Sequence, residues 1–84
     1  MTLKTAMDEF LFFKKLAGLS PKTITSYREA ILPAVRQIGT DTSLSDVTYE
    51  KTAAYIMTLY ARPLSRASVS SYVRNIRIFL RWVY

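Results

Sequence analysis

Cysteine and histidine are both absent from this 84-residue chain. Their absence excludes disulfide bonds, the usual zinc sites, and any nucleophile or base chemistry that depends on either side chain. No apolar run approaches the roughly 20 residues needed to span a bilayer, and the N-terminus lacks the basic-then-apolar order of a secretory signal. The sequence therefore predicts one soluble, cytoplasmic or nucleoid-associated domain that needs no cofactor or metal. Its stability must come from packing, for which a 50% hydrophobic content is sufficient.

The C-terminal part of the chain lacks acidic residues. None follows Glu50, whereas six basic residues do: Lys51, Arg62, Arg66, Arg74, Arg77 and Arg81. Residues 1–50 carry equal numbers of acidic and basic side chains, so the formal charge of +6 belongs to residues 51–84. Such a concentration of positive charge in one part of the chain favours a polyanionic partner, most simply nucleic acid.

Apolar residues recur at helical spacing in four segments, and no strand-like alternation competes with them. Helix one is predicted to run from about Thr5 to the residue before Gly18, with Thr5 and Asp8 forming a capping box. Helix two opens at Ser20-Pro21, an N-cap hydroxyl followed by proline at the first helical position, and it ends before Gly39. The pattern predicts an all-α four-helix bundle.

Residues 40–47 are polar and turn-rich, and they form the long loop that precedes helix three. Helix three is predicted to begin after the N-cap Thr48 and to end at Arg62-Pro63, and helix four to begin after the N-cap Ser65 and to continue to the C-terminus. Four residues of helix three are expected to form its apolar face: Ala53, Ile56, Met57 and Tyr60.

Helix four divides into three faces when its residues are placed about 100° apart. The core face holds Val69, Tyr72, Val73, Ile76, Phe79, Leu80 and Val83. Beside it a basic stripe holds Arg66, Ser70, Arg74, Arg77 and Arg81. A third face holds Ser68, Ser71, Asn75, Ile78 and Trp82. Arginines beside short hydrogen-bonding side chains suit a helix that enters a DNA groove, because arginine reaches phosphates or guanine edges while serine and asparagine approach bases closely.

A simpler interpretation is that these arginines only keep a surface solvated. It is weakened because no acidic residue lies three or four positions from any of them. Helix two also offers a second polar surface at its start, with Thr23 and free amides suited to a phosphate. On helix four, Ile78 and Trp82 are expected to pack against helix one, with contact to a following domain as the alternative.

Three motifs resemble the core-binding domain of tyrosine recombinases, the phage integrase family. They are FLFFK at residues 10–14, GLSPKTI at 18–24 followed by Tyr27, and IRIFLRW at 76–82. The similarity covers nearly the whole chain. It implies a SAM-like four-helix bundle that forms half of a clamp around double-stranded DNA, with helices two and four facing the major groove.

Carried over by position, the resemblance implies DNA contacts from two groups of residues. Helix two contributes Lys22, Thr23 and Ser26, and helix four contributes Arg66, Ser68, Ser71, Arg74 and Asn75. Farther along helix four, Arg77 and Arg81 are expected to touch backbone phosphates or to form structural ion pairs.

The catalytic motif of this family, a tyrosine nucleophile with arginines, lysine and histidines, is missing. The resemblance therefore implies a DNA-binding, non-catalytic, monomeric domain whose parent recombinase, bacterial or phage-encoded, carries a C-terminal catalytic domain. If Met1 is the natural start, no separate arm-site-binding domain precedes it. A helical module that docks on an acidic protein partner remains the alternative, with Ile78 and Trp82 as its contact residues, and RNA binding is a third option.

Overall fold

The computed structural model describes residues 1–83 and contains four α-helices with one short 3-10 helix. The α-helices are α1 (Leu3–Leu16), α2 (Pro21–Ile38), α3 (Tyr49–Ala61) and α4 (Arg66–Val83), and the 3-10 helix covers Leu44–Asp46. Within these residues extended structure is limited to a single antiparallel bridge between Thr2 and Ser43. The predicted all-α four-helix architecture is confirmed. No helix within residues 1–83 combines the length and apolar character needed to cross a bilayer, and Tyr84, with which helix four was predicted to end, lies outside the described residues.

A hydroxyl side chain starts each of the four α-helices by accepting a hydrogen bond from an otherwise unpaired first-turn amide. The predicted caps at Ser20, Thr48 and Ser65 are confirmed, with amide-to-hydroxyl distances of 3.1–3.3 Å. The predicted capping box of helix one is wrong. Thr2 is the N-cap, its Oγ1 accepts from the Thr5 amide at 3.2 Å, and the helix begins two residues earlier than expected.

The loop between α2 and α3 explains this earlier start. The Leu3 amide donates to the Thr42 carbonyl at 2.8 Å, and the Lys4 amide donates to the Thr40 carbonyl at 3.2 Å. In the opposite direction the Leu44 amide donates to the Met1 carbonyl at 3.1 Å. Loop carbonyls thus satisfy amides at the start of α1 that have no partner within the helix.

Both glycines end helices at positive φ. Gly18 (φ +85°) follows α1 in a Schellman arrangement, in which its amide donates to the Lys15 carbonyl and the Leu19 amide donates to the Lys14 carbonyl. Gly39 (φ +126°) ends α2, and a Cβ at this position would overlap the Thr42 hydroxyl oxygen. A Cβ at Gly18 would meet open space.

We therefore expect Gly39→Ala to destabilise the domain more than Gly18→Ala. The Gly18 variant carries only left-handed backbone strain, about 1 kcal/mol, whereas the Gly39 variant adds a steric overlap, for a total of about 2–3 kcal/mol. Urea denaturation of both variants measures the difference. Equal decreases in unfolding free energy would show that the Thr42 side chain moves aside without cost.

The core has two parts, and α2 contacts both. Phe10 lies at the centre of the first, with ring centroids 5.3 Å from Tyr27, 5.3 Å from Phe79 and 5.5 Å from Trp82. This confirms that Trp82 packs against helix one. All seven residues predicted for the core face of helix four are buried or half-buried in one of the two parts.

The second part of the core joins α3 to α2 and α4 through Tyr55 and Leu59, which are 2% and 1% exposed. Burial raises the pKa of the Tyr55 hydroxyl above its ordinary value, against a smaller opposing influence of Arg62. The predicted apolar face of helix three is wrong for two of its residues, because Met57 and Tyr60 are 67% and 65% exposed. The inward face is centred on Tyr55 and Leu59, about 130° around the helix from the centre of the predicted face, and Ala53 and Ile56 are half-buried.

Candidate nucleic-acid interface

Four arginines form a basic stripe along α4, and every one of them is exposed: Arg66, Arg74, Arg77 and Arg81. From the first to the last, the stripe extends about 22 Å at 1.5 Å per residue. Within residues 1–83 the only ion pair joins Lys4 to Asp8. The expected structural ion pairs of Arg77 and Arg81 are therefore absent from the described residues, and the charge of the stripe is not neutralised by neighbouring carboxylates.

The first two turns of α2 present Lys22 and Ser26 to solvent. Thr23 is half-buried, and its hydroxyl lies 3.0 Å from the Ser20 hydroxyl. The Ser20 side chain and carbonyl also accept from the amides of Thr23 and Ile24. Since Pro21 has no amide, the Lys22 amide is the one left at this helix end for a phosphate, fewer than the sequence suggested.

The start of α4 repeats this arrangement. The Ser65 hydroxyl accepts from the Ser68 amide at 3.1 Å and donates to the Ser68 hydroxyl at 3.0 Å. Because a hydroxyl accepts and donates independently, Ser68 keeps its own proton for an outside acceptor. Ser68 and Ser71 are half-buried, while Arg66 and Arg74 beside them are exposed.

Asn75 differs from the other predicted contact residues because it is only 5% exposed. The wheel places it on the third face, between Trp82 and Ser68. The structure turns it inward, and the prediction that its amide approaches a base edge conflicts with this burial.

The α2–α4 contact runs through the middle parts of both helices. Ala34 of α2 shares a core cluster with Val69 and Ile76 of α4, and Phe10 joins Tyr27 of α2 to Phe79 of α4. No hydrogen bond or ring contact in the described part of the chain joins residues 22–26 to residues 66–71. The two polar helix starts are therefore not joined to each other by a hydrogen bond or ring contact, and each is positioned by its own helix.

A feature that the sequence did not reveal is an open groove between the end of α3 and the exposed side of α4. Tyr60 and Ser70 line both of its depressions. Tyr60 was assigned to the core by its helical spacing, so nothing in the sequence separated it from packing residues. Within residues 1–83 no group of acidic side chains is arranged to hold a metal ion.

These observations define a small all-α domain with one uncompensated basic helix and two hydroxyl-rich helix starts. Residues 8–84 match the family described as phage integrase, N-terminal SAM-like domain. The chain belongs to this family, and the matched region is the N-terminal part of phage integrases, not their catalytic domain. No curated protein and no solved structure matches the chain.

Proposed function

We propose that this chain is the DNA-binding domain of a site-specific tyrosine recombinase, and that it clamps the core recombination site through α2 and α4. The observation that carries the proposal is the stripe of four exposed arginines on α4, which no carboxylate neutralises within the described residues. An unneutralised stripe of this length attracts a polyanion and contacts several backbone phosphates. Family membership supports double-stranded DNA as that polyanion.

Side chains of α2 and α4 bind the DNA together with this stripe in the proposed complex. Lys22 and Ser26 of α2 and Ser68 and Ser71 of α4 approach base edges or the nearest phosphates, while Arg66 and Arg74 bind phosphates or guanine edges. Thr23 positions the start of α2 through its bond to Ser20. Arg77 and Arg81 bind phosphates farther along the strand.

The chemistry of strand exchange belongs, in this proposal, to a catalytic domain elsewhere in the parent protein. The isolated domain is a monomer that binds DNA weakly, in about the micromolar range or above, because it supplies only half of a clamp. Binding is strongly salt-dependent. Contacts to four to six phosphates give a slope of about −4 to −5 in a plot of log affinity against log salt.

An amide chemical-shift titration with a short DNA duplex at low and moderate salt tests the proposal. We expect shifts confined to residues 22–26 and 66–74 that fade as salt rises. Arg74→Ala should reduce the salt slope by about 0.9, because one phosphate is no longer neutralised. An unchanged affinity in the folded Arg74→Ala variant would contradict the assigned surface.

The same titration distinguishes duplex DNA from the two alternative partners, an acidic protein and RNA. Absence of shifts with duplex at low salt would favour an acidic protein partner, and stronger binding of a competing RNA would favour RNA. Both residues expected to contact a protein partner make contacts within the domain. Trp82, which is 37% exposed, lies against Phe10 and Phe13, and Ile78 packs on the first part of the core. This engagement favours DNA over the protein-docking alternative.

A further inference from the structure

The groove between α3 and α4 has the composition of a phosphate-binding surface. One depression is lined by Tyr60, Ser70, Val73, Arg74, Arg77, Ile78 and Arg81. The other is lined by Tyr60, Leu64, Arg66, Val69 and Ser70. All four arginines of the basic stripe thus line one depression or the other, and neither depression has an acidic side chain in its lining.

Two hydroxyl groups lie among these guanidinium groups. Ser70 is exposed, and Tyr60 is 65% exposed because it lies 100–140° around the helix from Tyr55 and Leu59, which pack on the core. Hydroxyl and guanidinium donors with short apolar walls between them suit a sugar–phosphate strand, whose charged oxygens alternate with less polar sugars. Phosphates follow each other about every 3.4 Å of duplex axis along one strand, so a stripe of about 22 Å spans several of them.

The groove opens on a different side of α4 from Ser68, one of the residues assigned to base contact. Ser70 and Ser68 are two positions apart, which separates them by about 160° around the helix. Ser68 therefore faces away from the groove with Tyr60. Ser71 lies between the two sides, about 100° from Ser70, and lines a further depression together with Ser70 and Arg74. A helix inserted in the major groove has a phosphate strand along each flank.

We propose that the α3–α4 groove binds the backbone of one DNA strand, with Tyr60 and Ser70 as donors between the arginines, while the Ser68 side of α4 faces the bases. This inference rests on the proposed function and extends it by adding α3, through Tyr60, to the DNA-contacting surface. The occupant is a strand of the same duplex, because every charged side chain that lines the groove is an arginine.

The test compares Tyr60→Glu with Tyr49→Glu, measured by fluorescence anisotropy with a 20-base-pair duplex. Both tyrosines are exposed residues of α3, and each change adds one negative charge. They are about 16 Å apart along the helix, beyond the screening length of about 8 Å at physiological salt. We expect Tyr60→Glu to weaken binding about tenfold or more and Tyr49→Glu to change it less than about twofold.

A second pair of variants tests the groove without changing a tyrosine. Arg77→Gln removes one charge from the groove, and Arg28→Gln removes one from an exposed position of α2 that lies about 160° around that helix from Ser26. Only Arg77→Gln should lower the magnitude of the salt slope, by about 0.9. Circular dichroism confirms that each variant is folded before binding is measured.

The outcomes distinguish this inference from the proposed function. If Tyr60→Glu binds like the parent chain while Arg74→Ala and Lys22→Ala bind more weakly, the groove assignment is overturned and the proposed DNA-binding function stands. An unchanged salt slope in Arg77→Gln would also overturn the groove assignment, and it would remove Arg77 from the proposed phosphate contacts. If the parent chain does not bind the duplex at low salt, both are overturned. Binding of a poly-glutamate peptide that Tyr60→Glu abolishes, with duplex binding unchanged, would assign the groove to an acidic protein segment and overturn the inference.

Discussion

Phe10→Ala is expected to lower the free energy of unfolding by about 3–5 kcal/mol, the range for truncating a buried phenylalanine. The Phe10 ring is fully buried and has edge contacts with the rings of Tyr27, Phe79 and Trp82, from α2 and α4. A domain of this size has a total stability near the lower end of about 5–15 kcal/mol. The variant should therefore be largely unfolded at 37 °C, as measured by thermal and urea denaturation.

Phe12→Ala is the matched control for this prediction. Phe12 lies two residues away on the same helix, but it is 63% exposed. Its truncation should change the unfolding free energy by no more than about 0.5 kcal/mol, as for most surface substitutions. Alanine has the higher helix propensity, so propensity alone would not destabilise either variant. Similar destabilisation in both would contradict the assignment of the aromatic cluster as the main contribution of this segment.

The double variant Arg66→Glu/Arg74→Glu is expected to weaken duplex binding by about a hundredfold or more at 50 mM salt. It removes two guanidinium groups that bind phosphates and places like charge against the backbone. The slope of log affinity against log salt should fall in magnitude by about 1.8, that is about 0.9 for each phosphate that is no longer neutralised. Anisotropy titrations at several salt concentrations measure both quantities.

Lys15→Glu/Arg28→Glu makes the same change in net charge on exposed residues of α1 and α2 outside the proposed interface. It should keep the slope and weaken binding only a few-fold, through the weaker long-range field. Equal weakening in the two double variants would show that net charge alone governs binding. The assignment of the stripe as the contact surface would then be wrong.

Helix boundaries followed from the sequence wherever a local signal determines the backbone. Gly18 and Gly39 have the positive φ that glycine tolerates, and Ser20, Thr48 and Ser65 accept the amide bonds that N-cap hydroxyls accept. Helix one began earlier than predicted because its first amides bond to carbonyls about 40 residues away in the chain. Such a long-range partner leaves no local pattern to read.

Helix three shows a different limit of periodicity. Its sequence is apolar on more than one side, so two faces satisfied the helical spacing equally well. Packing against α2 and α4 selected Tyr55 and Leu59 and left Met57 and Tyr60 in solvent. On α4, by contrast, arginines separate the apolar face from solvent, and the predicted core face is confirmed.

For residues of the candidate site, solvent exposure was predictable from the sequence where the charge of a side chain keeps it on the surface. All four arginines of the basic stripe are exposed as expected, since an unpaired guanidinium is costly to bury. Asn75 is neutral and small enough to be accommodated inside, and it is buried. The groove at Tyr60 depends on how α3 packs beside α4. That packing geometry cannot be predicted from the sequence of either helix alone.

The pairing of the first four residues with the loop at Thr40 to Leu44 bears on how the protein is handled. A purification tag joined ahead of Met1 enters directly beside that loop, so a short or bulky linker there competes with the bond from the Leu44 amide to the Met1 carbonyl. Trimming the chain to begin at Thr5 removes the N-cap and the donors of Leu3 and Lys4 at once. A long flexible linker before Met1 leaves the hydrogen bonds between residues 1–4 and residues 40–44 intact.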